Sequence, residues 1–296
     1  MLTTSIRLAL ILALAVPCLA RDLERPSITA VAFVRIYTND LAASKKFYSE
    51  RIQLPEVPCV NKDCTQFQVG NNQYVQIMNA NGKNNGMEVV AFQTTDAEGL
   101  RRYLASKQIA VPQKLTRNSD GSREFEITDA EGHHVAFLQP SKGSDKRGGT
   151  SHRMIHAGFI VKDRAAMDRF YQDVLGFRPY WYGGKDPDHP VWISLQVHDG
   201  SDWLEYMLDV KDDADHRTKG IFNHFALGIV DVHTVESSLL KTGWQPSDRE
   251  KVQMGRDGKY QLNIYDPDDV RVEFMEFAPK EKPCCSEFTS AHPQPD

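Results

Sequence analysis

The stretch HAGFIVKD at residues 156–163 decides the fold, because the chain repeats it. FVRIYTND at residues 33–40 lies over it without a gap, and a Phe-Tyr pair follows both copies at the same distance. HFALGIVD at residues 224–231 has the same form. In each copy the alternating apolar residues predict a β-strand, and the closing Asp predicts the N-cap of a helix.

The repeat extends over almost the whole chain. DAEGHHVAF at 129–137 lies over DPDDVRVEF at 266–274 at a constant offset. Residues 28–142 and 153–278 are therefore predicted to be two copies of one domain, and each copy divides again into strand, helix and about three strands. The predicted fold class is α+β, with two domains of paired βαβββ units.

Hydrophobic patterns place the elements of the second copy. Helices are predicted over 164–174 and 232–242, and strands over 192–197, 203–210, 261–265 and 270–277. Residues 143–152 are predicted to form a polar linker, and the Pro-, Lys- and Ser-rich residues 279–296 are predicted to form a flexible tail.

The N-terminus predicts export. Arg7 precedes an apolar run over 8–16, and small residues follow up to Ala20. This order is typical of a signal peptide, here residues 1–20, and the run is shorter than the ~20 apolar residues of a membrane span. We expect a secreted or periplasmic protein that has no membrane contact after the signal is removed.

Composition favours a small-molecule partner. The 296 residues are 41% hydrophobic and 25% charged, with a net charge of −5, which leaves no basic footprint for nucleic acid. This size predicts two domains with their own cores, and assembly as a homodimer is compatible with it. Cys59 and Cys64 flank a short turn suited to a disulfide, whereas pairing of Cys284 and Cys285 stays open.

Four residues of the second copy predict a metal site. His156 and His224 occupy matching strand positions, and so do Glu205 and Glu273; both His–Glu pairs have the same separation. A single strand histidine is usually a satisfied core residue, but two matched His–Glu pairs facing one way suit a divalent ion. Zn, Ni, Mn and Fe(II) all remain open.

With these motifs and this ligand pattern the chain resembles the vicinal oxygen chelate superfamily, which includes glyoxalase I, extradiol dioxygenases and the bleomycin resistance proteins. The resemblance covers about residues 28–278 and is carried by HAGFIVKD at 156–163, FYQDVLGF at 170–177 and DPDDVRVE at 266–273. It implies that the paired units curl into half-barrels, with a metal that chelates neighbouring substrate oxygens. In the first domain the four ligand positions hold Phe33, Gln76, Val89 and Ala136, so only the second domain is expected to bind metal.

The resemblance implies two enzymatic reactions. Glyoxalase-like lyases or isomerases use four ligands, here His156, Glu205, His224 and Glu273, with Glu273 or Glu205 moving a proton. Extradiol dioxygenases use Fe(II) with two His and one carboxylate, which excludes Glu205 from the set. They also need an acid-base His and a Tyr. His198 is the candidate for the histidine, and Tyr260 or Tyr265 for the tyrosine.

A third alternative is a non-catalytic protein that binds a small molecule in the same cleft. The four tryptophans, Trp181, Trp192, Trp203 and Trp244, all lie in the second domain near Tyr180 and Tyr182. A cleft formed by some of them would favour an apolar or aromatic ligand.

Overall fold

The structure is a computed structural model and describes residues 23–59, 64–141 and 150–295. The predicted signal peptide (1–20) and most of the predicted linker lie outside these residues. None of the helices in the described ranges is long and apolar enough to cross a membrane.

The first domain is one eight-stranded sheet, in the order β2-β3-β4-β1-β5-β8-β7-β6. Its strands are β1 (Ile28–Thr38), β2 (Glu56–Val57), β3 (Cys64–Gly70), β4 (Gln73–Asn79), β5 (Gly86–Thr94), β6 (Thr116–Arg117), β7 (Arg123–Thr128) and β8 (His134–Gln139). The two halves of the sheet meet where β1 pairs antiparallel with β5.

The second domain repeats this topology in the order β10-β11-β12-β9-β13-β16-β15-β14. Its strands are β9 (Arg153–Ile160), β10 (Arg178–Gly183), β11 (Trp192–Gln196), β12 (Trp203–Met207), β13 (His224–Ile229), β14 (Gln253–Met254), β15 (Tyr260–Tyr265) and β16 (Arg271–Glu276). Both sheets curl into half-barrels, which confirms the predicted α+β class and the βαβββ units.

A helix follows the first strand of every unit. The helices are α1 (Leu41–Lys46), α2 (Ala97–Ser106), α3 (Arg164–Asp168) and α5 (Val232–Lys241), with π-helical continuations Phe47–Arg51 and Arg169–Val174. The aspartates predicted as N-caps, among them Asp40, Asp163 and Asp231, accept backbone N–H bonds at the helix starts. One further helix, α4 (His216–Phe222), was not predicted and leads directly into β13.

The two domains share one core, unlike the separate cores that chain length suggested. A single cluster of buried side chains runs from Ile28 to Phe274 and includes residues of both sheets. Two matching hydrogen bonds cross between the domains: Tyr48 donates to Asp266 at 2.9 Å, and Tyr171 donates to Asp129 at 3.1 Å. These four residues belong to the repeated motifs, so the repeat supplies contacts between domains as well as within them.

The C-terminal tail packs against the second domain, so the prediction of a flexible tail does not fit residues 280–295. Thr289 donates its backbone N–H to the carbonyl of Tyr180 at 3.1 Å, and Trp181 Nε1 donates to the carbonyl of Cys284 at 3.2 Å. The ring of Phe288 lies 4.9 Å from that of Tyr180. Composition was misleading because a few anchoring side chains suffice to hold a polar segment. The structure also pairs Cys59 with Cys64 and Cys284 with Cys285 as disulfides.

We expect Phe288→Ala to lower the free energy of unfolding by about 2 kcal/mol, since it removes a partly buried ring from an aromatic cluster. Urea unfolding followed by tryptophan fluorescence measures this loss. Glu287→Ala, which truncates an exposed neighbour in the same segment, is the control and should change little. Equal stabilities for the two variants would show that the tail does not hold to the sheet in solution.

Candidate metal centre

The four predicted ligands come from the four central strands of the second sheet. These strands are neighbours in the order β12-β9-β13-β16 and carry Glu205, His156, His224 and Glu273 respectively. Side chains of one strand alternate between faces, and the four residues share the concave face. The sheet therefore brings together residues that are far apart in sequence.

The ligand atoms converge on a small volume. His156 Nε2 lies 3.1 Å from His224 Nε2 and 3.5 Å from Glu273 Oε2. Glu205 Oε2 lies 3.3 Å from His224 Nε2. Metal–ligand bonds of about 2.1 Å place neighbouring ligands roughly 3.0–3.4 Å apart, so these separations fit a shared ion.

Three of the four residues form the compact part of the site. Within the described ranges, the one group of His, Cys, Asp or Glu whose ligand atoms all lie within 4.8 Å of one another is His156, His224 and Glu273. Glu205 stands at its edge, with Ser194 Oγ donating to its Oε1 at 3.2 Å. Its side chain is 14% exposed, against 3% for Glu273.

The ring of His224 presents a lone pair to the site. His224 Nδ1 lies 2.9 Å from the carbonyl oxygen of Phe222, which can only accept, so Nδ1 carries the proton and Nε2 is free to bind a metal. His156 packs its ring on Trp203 at 4.6 Å, and its buried Nδ1 has no hydrogen-bond partner in the described structure. Two imidazole nitrogens and two carboxylates are a donor set that suits a divalent cation.

Gly158 makes room for His224. A Cβ at this position would lie 2.2 Å from His224 Cε1 and 2.6 Å from its Nδ1, so no other residue type fits beside the ring in this orientation. Gly158 thus has a direct steric role in placing His224.

The charges of the site favour ionised carboxylates. Burial by itself raises the pKa of Glu273, but Arg271 and the contact with His156 lower this pKa to about 2. Burial also raises the pKa of Glu205, yet the contact of its carboxylate with His224 leaves this pKa below its usual value. Burial and the charge of Arg271 lower the pKa of His224. At neutral pH two buried carboxylate anions therefore lie close together, which is unfavourable without a cation.

A cleft of about 380 Å³ opens onto Glu205 and Glu273. Its apolar wall is formed by the following side chains: Tyr180, Trp181, Trp192, Trp203, Met207, Phe222, Met254, Met275 and Phe288. Three of the four tryptophans thus line the cleft, whereas Trp244 packs in the shared core. The tail supplies one wall through Phe288.

The strand register identifies the equivalent positions of the first domain. Phe33, Gln76, Val89 and Ala136 occupy the register positions of the four second-domain residues. Arg35 stands where the second domain has Gly158, and it donates to Gln76 Oε1 and Glu126 Oε2, both at 3.0 Å. The guanidinium of Arg35 therefore fills the centre of the first sheet. It donates a hydrogen bond to Gln76, which has the only side-chain oxygen among the four first-domain residues that correspond to the candidate ligands.

The acid-base groups expected for a dioxygenase are not at the cleft. His198 is largely exposed and contacts Asp199 at 2.8 Å, and neither Tyr260 nor Tyr265 is among the described residues that line the cleft. Sequence reasoning missed Arg271 and Asn263, which do line it. Arg271 was detectable, because it lies two residues before Glu273 and so shares its face of the strand.

Comparison with known proteins agrees with this geometry. Residues 153–274 match the profile of the Glyoxalase/Bleomycin resistance protein/Dioxygenase superfamily. The matched residues run from the start of β9 into β16 of the second domain. No curated protein matches the chain.

Solved structures extend the superfamily fold to both domains. The chain is similar to a Mn(II)-bound glyoxalase from Novosphingobium aromaticivorans, with TM-score 0.67, 15% identity and coverage of 85% of this chain and 83% of that one. It is also similar to homoprotocatechuate 2,3-dioxygenase from Brevibacterium fuscum (0.64, 16%, 86% and 82%) and from Arthrobacter globiformis (0.64, 17%, 88% and 84%). At these identities the likeness concerns the fold, and both of the predicted reaction branches are represented among the neighbours.

Proposed function

We propose that the protein is a divalent-metal-dependent enzyme that acts on a small molecule with neighbouring oxygens, by glyoxalase-like lyase or isomerase chemistry. The observation that supports it most is the meeting of His156, His224 and Glu273 with a second carboxylate, Glu205, 3.3 Å from His224 Nε2. A bound metal would supply Lewis acidity that polarises a substrate carbonyl or hydroxyl.

Glu205 has the position of a general base. It lines the cleft, it is the more exposed of the two carboxylates, and it stands outside the compact three-residue group. Ser194 donates a hydrogen bond to Oε1 at 3.2 Å, so Oε2, the oxygen nearest His224 Nε2, is the one that would take a proton from a substrate in the cleft when it does not bind the metal. Moving a proton between neighbouring carbon atoms of the substrate requires a general base within hydrogen-bond reach of it.

The cleft wall complements this chemistry. Trp192, Met207 and Met275 offer apolar surface beside the polar residues, so the part of the substrate away from the oxygens would be apolar or aromatic. Trp203 separates the cleft from buried Lys259, whose Nζ lies 4.5 Å from the Trp203 ring. The wall excludes water from one side of the reacting oxygens.

A second candidate, ring cleavage of a catechol by Fe(II), is favoured by one observation. His156, His224 and Glu273 alone form the two-His, one-carboxylate set used by non-haem Fe(II) oxygenases. This reaction would not use Glu205, and no histidine that could act as its acid-base group is among the described residues that line the cleft.

Glu205→Gln separates the two candidates. We expect the metal-loaded protein to accelerate solvent deuterium exchange at the CH2 group of 2-hydroxyacetophenone, followed by NMR, and the variant to lose about a hundredfold of that rate while keeping its metal. Glu281→Gln, at an exposed glutamate, is the control. Oxygen uptake with catechol by the Fe(II) form, undiminished in Glu205→Gln, would instead favour the dioxygenase. If no divalent ion binds, both candidates are wrong.

A further inference from the structure

Arg271 lies at the cleft with its charge directed toward the candidate metal centre. It begins β16, pairs with His224 in the parallel ladder and shares its strand face with Glu273. Its side chain is 14% exposed, and its nearest carboxylate oxygen, on Glu273, is 3.9 Å from Nη2. That separation is an ionic contact but exceeds hydrogen-bond distance.

The guanidinium of Arg271 lacks the hydrogen bonds that other buried arginines have. Its Nε is buried without a partner, and none of its nitrogens donates a hydrogen bond to a described residue. Arg35, with 10% of its side chain exposed, donates to Gln76 and Glu126. Arg153, with 17% exposed, donates to Asp202, Ser201 and a backbone carbonyl.

The other cations at the cleft are differently placed. Arg256 also lines it, but its Nε donates to Gly184 O at 3.2 Å and its Nη2 lies 2.9 Å from Cys284 Sγ. Lys185 is exposed, and Lys259 is buried behind Trp203 without lining the cleft. Arg271 is therefore the cleft cation that is both shielded from solvent and free to bind a ligand.

A buried guanidinium without acceptors is unfavourable, and a carboxylate satisfies it with two parallel hydrogen bonds. The charge balance points the same way under the proposed function. Glu205 and Glu273 together neutralise a divalent ion, which leaves the positive charge of Arg271 for the ligand. Asn263, opposite Glu273 in the sheet, adds a buried Oδ1 without a partner, which would accept a hydrogen bond from a substrate hydroxyl.

We infer that Arg271 binds a carboxylate of the substrate, so that the substrate class is a small 2-hydroxy or 2-oxo carboxylic acid with an apolar or aromatic remainder. This inference rests on the proposed function, because it assigns the charge of the molecule whose oxygens the metal would chelate. Arg271 acts as a specificity-determining residue: it selects the acid over a neutral molecule of the same shape.

The test compares acids with their neutral amides. Mandelate and phenylpyruvate are titrated against mandelamide and phenylpyruvamide by quenching of the cleft tryptophans, in Mn(II)-loaded and in metal-free protein. We expect the natural protein to bind the acids about ten- to a hundredfold more tightly than the amides. Arg271→Gln should lose most of this ratio in both forms, and Arg271→Lys should keep part of it. Arg256→Gln, the matched control, should leave the ratio unchanged.

Two outcomes overturn the inference. One is an acid-to-amide ratio that is the same in the natural protein and Arg271→Gln; the other is no measurable binding of either acid. A purely structural Arg271 would weaken acids and amides equally and would also weaken Mn(II) binding. Mn(II) affinity, measured separately, distinguishes failure of the proposed function from failure of this assignment, because the ratio in metal-free protein does not depend on the ion.

Discussion

His224→Ala is expected to weaken binding of a divalent metal ion by more than about a hundredfold, a larger loss than removal of a supporting group around a ligand causes. His224 Nε2 is the atom nearest the centre of the site: it lies 3.1 Å from His156 Nε2, 3.3 Å from Glu205 and 3.9 Å from Glu273. Removing it leaves two buried carboxylates with one imidazole. The ion would then have to fill the lost position with water.

Metal content after anaerobic loading with Mn(II), Fe(II), Ni(II) or Zn(II) and removal of free ion measures the effect. The natural protein should retain about one ion per chain. His189→Ala is the control, since that histidine is exposed and contacts only Asp209 among the ionic partners described for it. Retention of the ion by His224→Ala at natural affinity would place the metal elsewhere.

Gly158→Ala is expected to reduce metal affinity by about a hundredfold although it removes no ligand. The new Cβ would lie 2.2 Å from His224 Cε1, so the ring must turn away. Turning breaks the bond from His224 Nδ1 to Phe222 O and withdraws Nε2 from the site. Overpacking of this kind also lowers the free energy of unfolding by about 1–3 kcal/mol.

Gly228→Ala separates the two effects. Gly228 lies on the same strand as His224. In that variant the new Cβ would lie 2.4 Å from Cε1 of Phe277, which is not a candidate ligand. It should lower the urea midpoint as Gly158→Ala does, and yet bind metal as the natural protein does. Natural metal affinity in Gly158→Ala would mean that His224 can serve the site in another orientation, or does not serve it.

The two domains show how one topology accommodates two interiors. In the second, Gly158 leaves space for His224 and for an ion; in the first, Arg35 at that register position fills the space with its own positive charge. The counterpart of Glu205 is Gln76, a neutral side chain that accepts a hydrogen bond from Arg35. The first domain thus has an internal cation at the place where the second has the candidate metal centre.

The sequence alone predicted the βαβββ units of both domains and proposed four residues whose ligand atoms the second sheet brings together; that these residues bind a metal stays a prediction. Their meeting could be predicted because strand alternation is a local pattern: once His156 and Glu205 are aligned with His224 and Glu273, the pleat puts them on one face. The same register correctly paired the first-domain residues with them.

Only the tertiary structure decided the features that depend on contacts between distant segments. The tail was predicted to be loose, yet Phe288 and Cys284 reach Tyr180 and Trp181, because packing of a few side chains outweighs a polar composition. The shared core and the bond from Tyr48 to Asp266 likewise join segments that no local pattern relates. The unsatisfied guanidinium of Arg271 is of the same kind: which acceptors a side chain lacks follows from everything packed around it, and that is a property of the folded molecule.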